Sequence, residues 1–102
     1  MSANALRGEA TFTIAGEAYT LRPTFTALVA AEEELGPLFA LVERAGNGRL
    51  ALSEMAALFW HCLAPPHDLT RDGVGEAVAA QGLAACAVPL RTLLGQILRG
   101  TG

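Results

Sequence analysis

The reactive side chains in this chain are few, and their spacing decides what they can do. His61 and Cys62 are adjacent, and His67, Asp68 and Cys86 follow. A thiol beside an imidazole is the pair from which a cysteine nucleophile and its base are built. Helical neighbours diverge by about 100°, so His61 and Cys62 do not face each other. No third group stands at a spacing that would orient His61. A structural zinc site fails on similar grounds, because it wants paired ligands such as CxxC or HxxxH. In a reducing compartment Cys62 and Cys86 read as packed thiols, with a disulfide between them as the less favoured alternative.

Glu32, Glu33 and Glu34 form an acidic run. Glu33 and Glu34 suit a solvated face. Glu32 falls between Leu28 and Leu35 on an apolar stripe, so its carboxylate must find a donor: Arg22, Tyr19 or a backbone amide. No second carboxylate is placed to share acid–base work with it. Gly73 and Gly75 make a GxG fragment, but no strand precedes it and the chain has no lysine to reach a phosphate. No catalytic residue, metal site or cofactor emerges, and an enzyme is the remotest of the functional classes.

The elements that carry these residues begin with a hairpin. Phe12 and Ile14 alternate with Thr11, Thr13 and Ala15, and Tyr19 and Leu21 alternate with Ala18, Thr20 and Arg22. Period-two patterns on either side of Ala15-Gly16-Glu17 predict two antiparallel strands. A lone hairpin is barely stable in water, so the helices that follow must cover its apolar face. Pro23 ends the second strand. Thr24 caps a first helix to Leu35, with Phe25, Leu28, Glu32 and Leu35 inward, and Gly36 stops it. Pro37 opens a second helix with Leu38, Leu41, Val42 and Ala45 as its stripe. Ser53 is the expected cap of a third, and Thr70 of a fourth that runs to Gln81, with Val74, Ala77, Val78 and Gln81 inward. The fifth carries Leu90, Leu93, Leu94, Ile97 and Leu98. Pro89 places its start near Val88, or near Ala84 with a kink. The expected fold is α+β: an N-terminal β-hairpin packed on a bundle of four to five short helices. Residues 1–7 read as a loose tail and 8–102 as one domain.

Composition narrows the function further. The chain is 52% apolar and 17% charged over 102 residues. A small domain hides a limited share of its surface, so surplus apolar area implies a protein partner and leaves self-association open. The third helix sharpens this point. Met55, Leu58, Phe59 and Cys62 make one apolar stripe, and Ala56, Trp60, Leu63 and Ala64 make another. A helix apolar on two sides is buried on most sides or docks against something else. Phe59, Trp60 and Leu63 are the candidate partner-binding residues. The seven basic residues are all arginines spread along the chain, and the net charge is −3. That pattern lacks the basic stripe that nucleic acid requires. No run approaches the ~18 apolar residues of a membrane span, and the N-terminus lacks the apolar core of a secretory signal. A cytoplasmic protein is expected.

One resemblance covers roughly residues 7 to 99. It rests on GEATFTIAGEAYTLRPTFTALVAAEEELG, then LFALVERAGNGRLALSEMAALFWHCL, then Gly82-Leu83 and the leucine-rich last helix. Within it stand an "ALxxxE" helix at Ala27, Leu28 and Glu32, and Arg49-Leu50 leading into the third helix. The chain resembles a family of small proteins from gene transfer agents and tailed phages, described as tail assembly chaperones or, in older descriptions, tail tube proteins. The Pro65-Pro66-His67 segment and Pro89 depart from its pattern. The resemblance implies a non-enzymatic tail morphogenesis factor of a gene transfer agent or prophage. Its implied partners are the tape-measure protein, whose apolar helices it shields, and the tail tube protein. The alternatives are a structural tail subunit retained in the particle, and a small regulatory or toxin–antitoxin binding module.

Overall fold

Two residues turn the chain between its first strands, β1 (Ala10–Ile14) and β2 (Glu17–Leu21). Ala15 has φ 53° and Gly16 φ 82° in the structure, a computed structural model that describes residues 8–100. Positive φ at both positions is what a type I′ turn demands, and that turn's twist matches the twist of paired strands. The expected loose tail, residues 1–7, lies outside the described residues.

The register sets Phe12 opposite Tyr19 and Ala10 opposite Leu21, so these four share one face. Phe12 and Leu21 are fully buried there. Five helices follow: α1 (Phe25–Leu35), α2 (Leu38–Gly46), α3 (Leu52–Cys62), α4 (Arg71–Gln81) and α5 (Leu83–Arg99). The fold is thus α+β, a hairpin followed by five helices. β1 lies against α5, and α3 packs on α1, α4 and α5. The Phe12 ring meets Phe59 of α3 with centroids 5.0 Å apart.

The chain leaving α3 closes the free edge of β2. Leu63 bridges Leu21, the Ala64 N–H donates to the Thr20 carbonyl at 2.9 Å, and the Arg22 N–H donates to the Cys62 carbonyl at 2.6 Å. On the β1 edge the Gln81 side-chain amide donates to the Thr13 carbonyl. Unpaired strand edges invite foreign strands, and these contacts blunt both. Glu9 and Arg22 join the two ends of the hairpin by an ion pair of 2.8 Å.

The caps explain where the helices start. Thr24 accepts from the Ala27 N–H, Thr70 accepts from the Gly73 N–H, and Gly36 and Gly82 end their helices as expected. Other boundaries move. Pro37 sits one residue before α2 instead of at its first position. α3 starts ahead of Ser53: Ala51 holds the cap position, and the Glu54 carboxylate accepts the Ala51 N–H at 2.9 Å. Glu54 thereby supplies the reaching-back half of a capping box, two residues upstream of where Ser53 would need it. α5 starts at Leu83, close to the earlier of the two expected points, with Pro89 inside it. Gln81 is exposed instead of inward, because its amide serves the strand edge.

The largest correction concerns α1. Its buried residue is Ala31, and Phe25 points outward. α1 packs on α3, and a small side chain at that contact lets two helices approach closely. Leu28 and Leu35 of the expected stripe do pack against the core, so the helix is turned only enough to bury Ala31 and leave Phe25 outside. One cluster of buried side chains draws on both strands and all five helices. The Cα radius of gyration is 12.4 Å, close to the roughly 13 Å of a compact chain this long.

Candidate functional site

Gly36, with φ 85°, reverses the chain between α1 and α2. Its N–H closes the last turn of α1 on the Glu32 carbonyl. The Glu32 carboxylate then accepts the Leu38 N–H at 3.0 Å, which satisfies a free donor at the start of α2. Glu32 thus finds a backbone amide as its partner. Arg22 is engaged by Glu9, and Tyr19 donates to Glu17.

The corner brings α1 and α2 together as two walls of an open groove, and the end of α5 supplies a third. The groove encloses about 340 Å³. Phe25, Leu28 and Val29 come from α1, Leu38, Phe39 and Val42 from α2, and Ile97 and Leu98 from α5, with Glu32 among them. Exposure is concentrated here. Phe25 is 84% exposed, Phe39 68%, Leu98 55% and Val29 38%. Of the seven exposed large apolar side chains among the described residues, four line this one groove. Scattered apolar residues need no explanation, but a contiguous apolar concavity marks an interaction site.

The residues singled out from sequence lie elsewhere. Phe59 is fully buried, packed on Phe12 at the centre of the molecule. Leu63 is buried and holds the β2 edge. Neither has side-chain surface to lend in this fold. Trp60 is half-buried and meets the His67 ring edge-on at 5.6 Å. The groove residues Phe25 and Phe39 were the signal to follow. Phe39 falls off the stripe that Leu38, Leu41, Val42 and Ala45 define, and an aromatic ring off the inward stripe faces outward.

The titratable groups are structural in arrangement. Glu34 is not simply solvated: it pairs with His61 of α3 at 2.8 Å and with Arg71 of α4, tying three helices together. The Arg71 hydrogen bond, then that of His61, holds its carboxyl below the usual range. Arg44 and Glu54 join α2 to α3 at 2.5 Å. The Ala51 N–H, then Arg44, lowers the Glu54 carboxyl. Cys62 and Cys86 are free and buried. Burial pushes the Cys62 thiol up to about 12 and raises that of Cys86, which suppresses the thiolate a nucleophile needs. Among the described residues no group of three His, Cys, Asp or Glu side chains could hold a metal ion. No single described helix is long and apolar enough to cross a membrane.

Hairpin, helices and groove together define a small α+β protein that presents apolar surface at a helical corner. The chain belongs to the family described as phage tail tube protein, GTA-gp10, which matches residues 7–100. It is accordingly a tail protein of the gene transfer agent and phage kind. No curated protein and no solved structure matches it.

Proposed function

We propose that this tail protein is a morphogenesis factor, a tail assembly chaperone of a gene transfer agent or prophage. It works in the cytoplasm, by contact and not by catalysis, with residues 8–102 acting as one domain. Its groove shields apolar helices of the tape-measure protein while tube subunits polymerise. The observation that carries this reading is the clustering of Phe25, Val29, Phe39 and Leu98 at one open concavity. Buried, protonated thiols and an ion-paired Glu34–His61–Arg71 cluster agree with a role in contact. Trp60, packed at the edge of the core and against the His67 ring, is a second contact point outside the groove.

The family description also favours a second reading, a tube-associated subunit that stays in the particle. Two measurements separate them. Co-expression with the tape-measure protein should yield a complex that Phe39→Ser weakens and that the wild-type protein holds. Mass spectrometry of purified particles should then find this chain absent. Its presence at stoichiometric level would support the structural subunit. A Trp60→Ala protein that folds and captures the tape-measure protein at full strength removes Trp60 from the contact.

A further inference from the structure

The groove's rim carries charge of one sign. Glu33 stands one turn beyond Val29 on α1, and Glu43 one turn beyond Phe39 on α2. Glu32 lies in the lining itself. Glu9, Glu34 and Glu54 are each matched by a basic side chain, whereas no ion pair engages Glu32, Glu33 or Glu43 among the described residues. The basic residues of α5, Arg91 and Arg99, line a separate polar cleft beside Gly8. Among the described residues, therefore, no ion pair supplies counter-charge to this apolar trough and its acidic shoulders.

We propose that the groove takes an amphipathic helix of a partner protein whose apolar row is flanked by lysine or arginine. The proposal rests on the groove being the partner-binding surface. The rings of Phe25 and Phe39 stand on separate walls, and a row of aliphatic side chains spaced at i, i+3 and i+4 fits between them. Basic residues one turn outside that row then meet Glu33 and Glu43. Such rim pairs are individually weak and screened by salt, but an acidic flank in the same place is repelled. Selection therefore falls on charge and affinity on the apolar row. A second copy of this chain is a poor occupant. A two-fold contact through the groove would bring each acidic rim near its own twin.

Two synthetic amphipathic peptides of about 18 residues test this, both with one leucine face, one flanked by lysine and one by glutamate. Binding to the full chain is read by fluorescence anisotropy at low and high salt. The lysine peptide should bind about tenfold tighter at low salt, and the preference should shrink as salt rises. Glu33→Lys with Glu43→Lys should reverse the preference. Asp72→Lys with Glu76→Lys makes the same charge change on α4 and should leave it as it was. If both peptides bind equally and Phe39→Ser abolishes both, the charge selection is wrong and the groove stands. If neither binds, or binding ignores Phe39→Ser, the groove falls with it. Reversal by the α4 pair would reduce the effect to net charge and overturn the proposal. So would sedimentation of the chain alone as a dimer that Phe39→Ser dissociates.

Discussion

The Glu32 carboxylate of α1 accepts the N–H of Leu38, the first residue of α2, at 3.0 Å. Pro37, in the cap position, has no side-chain acceptor to offer. The preceding helix therefore caps the following one, and the same bond fixes the corner between two walls of the groove. Glu32→Ala should lower stability by about 1 kcal/mol, the ordinary cost of a lost N-cap. Glu32→Gln keeps a carbonyl acceptor and should recover most of that loss. Urea midpoints at constant slope measure both, and an unchanged midpoint for Glu32→Ala would show that the bond contributes nothing.

Two phenylalanines should behave in opposite ways. Phe59→Ala removes a fully buried ring from the stack with Phe12 and should cost about 3–5 kcal/mol. Phe39→Ser changes a side chain that is mostly in solvent and should stay within about 0.5 kcal/mol of the wild type. Binding should show the reverse order: Phe39→Ser loses the partner while remaining folded. Thermal melts beside pull-down of the tape-measure protein give both readouts. A stable Phe59→Ala protein would place that ring outside the core.

The contrast shows where sequence reasoning runs out. Strand alternation, Thr24, Thr70 and the glycine stops were legible because each is a local signal with a local cause. The α5 stripe was legible at Leu90 and Leu93, which repeat at helical spacing and face inward, but not at Leu98, which the last turn leaves exposed in the groove. The face of α1 was legible only in part: Leu28 and Leu35 pack against the core, but Phe25 lies outside and the fully buried position is a small residue, Ala31, to which periodicity gives little weight. The surplus of apolar residues foretold a sticky surface but not its address. α3, the most apolar helix, is so because it is the centre of the fold, with Met55, Ala57, Leu58, Phe59 and Cys62 all buried. The exposed rings belong to helices of ordinary composition, and only the corner at Gly36 brings them together.

Acid should loosen the helix ties. Glu34 and Glu54 both titrate below their ordinary 4.5 in the folded chain, chiefly through the Arg71 bond and the Ala51 N–H respectively. A depressed folded pKa means that the unfolded chain takes up the proton first as pH falls. The stabilisation is therefore present above the unfolded pKa and lost as pH drops through the folded one. Both carboxylates retain solvent contact, so the effect is modest and screened by salt. Between about pH 5 and about pH 3 the wild-type melting temperature should fall more steeply than that of Glu34→Gln with Glu54→Gln. Parallel profiles would mean that the two ties do not couple to folding.

The hairpin turn offers a stabilising change that touches no contact. Ala15 holds φ 53°, where an L side chain with a Cβ is strained by about 1–2 kcal/mol. Asparagine tolerates that region, and Asn-Gly is a favoured pair for a type I′ turn. Ala15 is exposed, so Ala15→Asn forfeits no packing. It should add about 0.5–1 kcal/mol and raise the melting temperature by about 2–6 °C. Gly16→Ala should do the opposite. Nothing lies within 4 Å of the Cβ it would add, so any loss at φ +82° is backbone strain alone. Because Phe12 and Leu21 enter the core from this hairpin, the strain is felt by the whole cooperative unit and not by the turn alone. Melts of opposite sign for the two variants would establish that coupling, and two unchanged melts would mean that the turn is not held in this geometry.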